Sequence, residues 1–127
     1  MANSMKKFQR MSDSEMEVMQ RIWTTGSPIT SAQILSGLNE ARQWKNTTVL
    51  TFLSRLCDKG FLRIEKQGKQ NLYYACLTEE EYRQMETRAF LQNVHNGSVK
   101  SFMAALAEED GLSAEEIREL REWFEKR

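Results

Sequence analysis

Thr47, Thr48, Thr51 and Arg55 lie on one amphipathic stretch, Asn46 to Lys59, and they give it short hydroxyls and one long cation. On a helix, groups of this kind reach base edges and phosphates in a DNA major groove. Val49, Phe52, Leu53 and Leu56 recur at i, i+3, i+4 and i+7, an apolar stripe with the period of an α-helix. The opposite side carries Thr47, Thr51, Ser54 and Asp58, flanked by Thr48 and Arg55. Asn46 is expected as the N-cap, and Gly60 as the residue that ends the helix.

Other chemistry has less support. His95, the single histidine, has no cysteine or carboxylate at a catalytic spacing, and reads as a surface or helix-end residue. No glycine-rich phosphate loop or metal motif is present, so neither an enzyme nor a cofactor is expected. Cys57 and Cys76 lie 19 positions apart and form no metal-ligand cluster. Small buried apolar residues are the simplest reading of both. Because Cys57 lies within the reading stretch, where oxidation would perturb DNA binding, a redox sensor built on the pair stays open as an alternative.

Several elements must position that stretch. Ser12/Glu15, Thr30/Gln33, Thr78/Glu81 and Ser113/Glu116 each fit a capping box and mark four helix starts. The first helix is expected over about 13 to 24, with Met16, Met19, Ile22 and Trp23 inward, ending at Thr25-Gly-Ser-Pro28. A short second helix follows with Ile34, Leu35 and Leu38, then a polar segment from Asn39 to Lys45. These methionines and aromatics are core positions rather than cofactor contacts. After Gly60, Leu62 and Ile64 alternate with Arg63 and Glu65, and Leu72, Tyr74 and Cys76 alternate with Tyr73 and Ala75. Alternation is the period of strands, joined here by Lys66-Gln-Gly-Lys-Gln70. Lys66 and Lys69 at that turn would lie beside phosphates if the preceding helix entered the groove; an ordinary solvated hairpin tip is the alternative.

The fold class is therefore mainly α with a small β-hairpin wing: a winged helix-turn-helix over residues 1–77 and a C-terminal helical dimerisation domain over 78–127. The C-terminal part shows Tyr82, Met85, Ala89, Phe90 and Val94 on one helix, broken at Asn96-Gly97. Val99, Phe102, Met103 and Leu106 mark a second, and Ile117, Leu120, Trp123 and Phe124 a third after Asp110-Gly111. Three short helices are too small to bury so many large side chains alone. A second copy of the chain is the expected cover, with packing back on the winged helix as the alternative.

The 127 residues are 40% apolar and 28% charged, a soluble globular composition. No stretch approaches the length of a membrane span, and the cations of the first ten residues precede no apolar segment, so a cytoplasmic protein without membrane insertion is expected. Net charge is zero, yet residues 1–77 hold 11 Lys and Arg against 6 Asp and Glu, and residues 78–127 hold 7 against 12. The local field of the basic half matters more to a polyanion than the total, because screening acts over about 10 Å.

With Ser12-Asp-Ser-Glu-Met-Glu-Val-Met19, Ile22-Trp23, Trp44, Thr47-Thr48-Val49, Arg55-Leu56, Lys59-Gly60-Phe61, Tyr73-Tyr74, Asn96-Gly97 and Leu112-Ser-Ala-Glu-Glu-Ile117 in this order, the chain resembles the BlaI/MecI/CopY family of bacterial repressors. The resemblance implies a homodimer bound to palindromic double-stranded operator DNA until a signal releases it. By position, Thr47, Thr48, Thr51 and Arg55 would meet DNA. Lys45-Asn46-Thr47-Thr48 stands where relatives often carry Ser-Pro-Lys-Thr, so Lys45 would supply the cation missing at position 47. Leu50 replaces a long polar residue and can touch a thymine methyl or pack.

Copper-responsive members have a cysteine-rich C-terminal site, which is absent after Cys76, so copper sensing is rejected. Antibiotic-responsive members are cut at an Asn-Phe bond in a dimerisation helix. Ala105-Leu106 occupies the corresponding place, which makes a sensor protease a candidate partner. A winged-helix protein-interaction module is the competing function, and it would expose apolar residues on the third helix.

Overall fold

The computed structural model describes residues 8–38, 43–108 and 111–127. Expectations placed on Met1–Lys7, on Asn39–Arg42 and on Asp110 lie outside these residues. The elements run α1 (Asp13–Thr25), β1 (Ile29–Thr30), α2 (Ser31–Leu38), α3 (Asn46–Asp58), β2 (Leu62–Gln67), β3 (Gln70–Ala75), α4 (Glu79–His95), α5 (Val99–Ala107) and α6 (Ala114–Glu125). All four capping boxes form. In each, the hydroxyl of Ser12, Thr30, Thr78 or Ser113 accepts the N–H three residues on, and the side chain there accepts the cap's own N–H.

The chain divides into two compact units between Glu86 and Thr87, nine residues beyond the expected boundary at 77/78. In the first unit, α1, α2 and α3 pack around Val18, Met19, Ile22, Ile34, Leu38, Val49, Leu53 and Leu56. Val18 and Glu15 are buried in α1, whereas Met16 and Trp23 of the expected stripe are only half-buried. Tyr82 decides the boundary. It is 1% exposed, its ring packs with Phe8, Trp23 and Phe61, and its hydroxyl accepts the Met11 N–H at 2.7 Å. The first two turns of α4 thus belong to the winged helix, not to the C-terminal stripe on which Tyr82 was expected.

The sheet has three antiparallel strands in the order β1-β3-β2, one more than the hairpin alone. β1 escapes a periodicity reading because it has two residues, Ile29 and Thr30, paired with Tyr73 and Leu72. The hairpin register pairs Leu62 with Ala75, Ile64 with Tyr73 and Gln67 with Gln70. Leu62 and Tyr73 enter the core, so the buried phase of β3 carries Tyr73 and Ala75, while Arg63 and Tyr74 share the outer face. Arg63 lies 4.1 Å from the Tyr74 ring centroid and pairs with Glu65.

In the second unit, no described residue is buried. Asn96 and Gly97 end α4 with φ of 55° and 81°, left-handed values that Asn and Gly adopt at low cost. Ser98 caps α5 by accepting the Ser101 N–H, a fifth cap without a capping box. Phe90, His95 and Phe102 form a local aromatic cluster, with the His95 ring 5.6 Å from each phenylalanine and its Nδ1 2.9 Å from the Ser101 hydroxyl. His95 therefore sits at a helix end, as expected.

Candidate nucleic-acid interface

The order α2, α3 and β-hairpin is that of a winged helix-turn-helix, which makes α3 the candidate reading helix. Its inner side is Val49, Leu53 and Leu56, all fully buried, with Phe52 half-buried beside them. Its outer side exposes Asn46, Thr47, Thr51, Ser54, Arg55 and Asp58, and Thr48 is half-buried. The N-cap is Lys45, not Asn46: Lys45 has extended backbone angles and makes no side-chain cap hydrogen bond, while Asn46 is already the first helical residue. The amide of Asn46 is thereby left on the surface rather than folded onto the helix end.

At the other end the Gly60 N–H donates to the Cys57 carbonyl and the Phe61 N–H to the Leu56 carbonyl, with Gly60 at φ 85°. This pair of bonds is a Schellman closure. It turns the chain directly into β2 and sets the hairpin beside α3.

Hydrogen bonding defines what each side chain can offer. The Thr51 hydroxyl donates to the Thr47 carbonyl at 2.9 Å, so its proton is used within the helix and only its lone pairs remain. In this state it suits the amino group of adenine or cytosine rather than a phosphate. The Arg55 guanidinium lies 5.7 Å from the Phe52 centroid and forms no ion pair among the described residues. Phe52 is itself held edge-on by Trp44, with centroids 5.5 Å apart. Arg55 is therefore oriented by an aromatic stack and keeps its donors for a partner.

On the wing, Lys66 and Lys69 are exposed and, among the described residues, unpaired. Arg63 is engaged by Glu65 and Tyr74 and so contributes less free charge than its type implies. The site brings Lys45, Asn46, Thr47, Thr48, Thr51 and Arg55 onto one helix, with the two lysines on the neighbouring hairpin.

Leu50 lies on the flank of α3, and the burial of Glu15 escaped the residue pattern. Leu50 is 39% exposed at the edge of the reading face, a single apolar group among polar ones. Glu15 is fully buried in α1 and receives the Lys59 ammonium at 2.6 Å. Its position on the stripe of Met19 and Ile22 was a signal of burial that its charge obscured. Burial alone pushes the Glu15 carboxyl up, but Lys59 and Ser12 outweigh it and hold the group below its ordinary range.

The cysteines do not behave as buried apolar residues throughout. Cys57 is half-buried and Cys76, beyond the end of β3, is exposed. Burial, with Asp58 and Cys76 nearby, pushes the Cys57 thiol up, which lowers its thiolate fraction and weakens the redox alternative. Among the described residues there is no group of His, Cys, Asp or Glu suited to a metal, and no helix long and apolar enough to cross a membrane.

In the second unit Phe90, Val99, Leu106, Ile117, Leu120, Trp123 and Phe124 are exposed, and Phe102 and Met103 are half-buried. Trp123 and Phe124 reach 51% and 62% exposure, far above what large aromatics keep in a finished core. Ala105 and Leu106 are exposed near the end of α5.

These features define a winged-helix protein with a polar face on its third helix, a basic wing and a separate helical unit. The chain belongs to the penicillinase repressor family, whose match covers residues 11–126. It is 35% identical over 122 residues to the penicillinase repressor of Bacillus licheniformis, covering 96% of this chain and 94% of that one. It is 30% identical over 121 residues to the methicillin resistance regulatory protein MecI of Mammaliicoccus sciuri, covering 95% and 98% of the two chains. Among solved structures, the B. licheniformis BlaI monomeric form in complex with the blaP half-operator aligns with a TM-score of 0.50 at 36% identity, over 61% of this chain and 94% of that one.

Proposed function

We propose that this protein is a cytoplasmic transcriptional repressor that binds a palindromic operator as a homodimer. The observation that carries the DNA reading is the outer face of α3, where exposed hydroxyl, amide and guanidinium groups stand beside wing lysines that are unpaired among the described residues. Lys45, Lys66, Lys69 and Arg55 supply phosphate contacts and the salt-dependent part of affinity; Asn46, Thr47, Thr48 and Thr51 supply base preference. Solved DNA-bound BlaI supports the same use of the fold. Leu50 is too small an apolar surface to serve a protein-interaction module.

Dimerisation rests on the exposed aromatic and aliphatic side chains of residues 87–127, which a second copy covers. Two linked reading heads then gain the effective concentration that a single head lacks. Release follows when a signal separates the C-terminal units. Cleavage at Ala105-Leu106 by a sensor protease is one such route, and because the bond lies in the last turn of α5, it requires only local unwinding of a helix end.

The test is titration of purified protein against a labelled duplex from its own upstream region and a scrambled duplex, at two salt concentrations. Tight, salt-sensitive preference for the native duplex at two chains per site is expected. Equal weak binding to both duplexes overturns the operator reading. An intact chain under inducing conditions, in cells holding the cognate membrane protease, overturns release by cleavage.

A further inference from the structure

The end of α3 is held from two directions. Lys59, the C-cap residue, donates from Nζ to Oε1 of Glu15 at 2.6 Å and to the backbone carbonyl of Arg10 at 3.0 Å. Glu15 in turn accepts the Ser12 N–H, so the carboxylate that receives Lys59 is part of the cap that starts α1. The next two anchors lie on α4. The Arg10 guanidinium pairs with Glu86, and the Met11 N–H donates to the Tyr82 hydroxyl at 2.7 Å. Residues 10–12 therefore form a strap with α4 on one side and the ends of α1 and α3 on the other.

The burial of these groups separates their roles. The Glu15 side chain is 3% exposed and that of Lys59 only 23%, so the Lys59 charge is largely spent inside the fold. Arg10 is 67% exposed and its partner Glu86 26%, so the outer end of the strap is open to change without opening the core. Glu86 is the last residue of the first unit, on the helix that continues into the second.

We propose that the Glu86–Arg10–Lys59–Glu15 chain positions the reading helix relative to α4, with Lys59 acting on operator affinity through this strap and not as a phosphate contact. The proposal rests on α3 being the DNA-reading element. It gives α4, which leads out of the winged helix, a polar route to the far end of that helix. A side chain that acts by position changes affinity while leaving the number of displaced counterions unchanged; a phosphate contact changes both.

The experiment measures binding of the full chain to its native upstream duplex across a salt series for wild type, Glu86→Gln, Lys59→Met and the double variant, with thermal melts and sedimentation as checks on fold and assembly. Wild-type preference for native over scrambled duplex tests the DNA reading separately from the strap. Glu86→Gln is expected to weaken operator binding by roughly 2- to 30-fold. Loss of a negative charge would by itself strengthen DNA binding, so weakening identifies position as the cause. Lys59→Met is expected to weaken binding with an unchanged slope of log affinity against log salt, and the double variant to lose less than the product of the two single effects. A slope lowered by about 0.9 in Lys59→Met marks a direct phosphate contact and overturns the proposal. Unchanged affinity in Glu86→Gln, or fully multiplicative losses, also overturns it. If Lys59→Met fails to fold, Glu86→Gln together with Arg10→Gln and their double variant decides by the same criterion.

Discussion

The Tyr82 hydroxyl accepts the Met11 N–H at 2.7 Å across 71 positions of sequence, joining the start of α4 to the residue that precedes the α1 cap. Tyr82 is buried with Phe8, Trp23 and Phe61, so the reading head is completed by a turn of helix that sequence periodicity placed with the C-terminal stripe. A fragment of residues 1–86 should unfold cooperatively, whereas residues 1–77 should lose about 3–5 kcal/mol with the missing aromatic. Tyr82→Phe isolates the hydrogen bond, and leaving the buried Met11 N–H unpaired should cost about 1–3 kcal/mol. Urea unfolding of the three proteins checks both values.

Glu15 predicts an acid-sensitive fold. Burial raises the tendency of its carboxyl to protonate, but the Lys59 ammonium and the Ser12 cap prevail, so its folded pKa lies below the ordinary 4.5. A depressed carboxyl contributes its full stability above that ordinary value and loses it as pH falls through the folded value. Wild type should lose stability as pH falls below that ordinary value, and Glu15→Gln should show a flatter profile there. At pH 7 the variant should be less stable by about 3 kcal/mol, because it breaks a buried pair from one side. Denaturant midpoints from pH 3 to 7 provide the measurement.

Thr51 and Lys66 should fail in different ways. With its proton held by the Thr47 carbonyl, Thr51 offers lone pairs to a base edge, so Thr51→Val should reduce discrimination at one base pair by about 1–3 kcal/mol. Affinity for a scrambled duplex should stay unchanged. Lys66→Ala should instead weaken binding to both duplexes alike and lower the salt slope by about 0.9. Salt-dependent titrations against native and singly substituted duplexes separate the two patterns.

The exposed aromatic pair Trp123–Phe124, with ring centroids 4.9 Å apart, should anchor the dimer. Trp123→Glu combined with Phe124→Ser should yield monomers in sedimentation while the thermal melt of the reading head is retained. Operator affinity should fall by about 10²- to 10⁴-fold through loss of the second linked half-site, with half-site affinity preserved.

The helices were legible because their signals are local. A capping box completes its bonds within three residues, and an apolar stripe needs only a 3.6-residue period, so four helix starts and the inner side of α3 could be read from types and spacing. Gly60 likewise closes α3, its N–H bonding the Cys57 carbonyl while the Phe61 N–H bonds that of Leu56. Local signals were less decisive where two roles competed: Asn46 is a good capping residue, yet the extended backbone falls at Lys45.

Tertiary structure decided what depends on residues far apart in the chain. The two-residue β1 exists because Ile29 and Thr30 find Tyr73 and Leu72, a pairing with no period of its own to display. Tyr82 joins the first unit, Cys76 stays exposed, Arg63 is occupied by Glu65 and Tyr74, and buried Glu15 finds Lys59 44 positions away. Sequence by itself determined the helices, the wing and the chemical character of the reading face, because backbone hydrogen bonds and side-chain periodicity act over a few residues. Which charges remain free for DNA, and which are spent holding α3 in place, was decided only when packing brought distant partners within hydrogen-bonding reach.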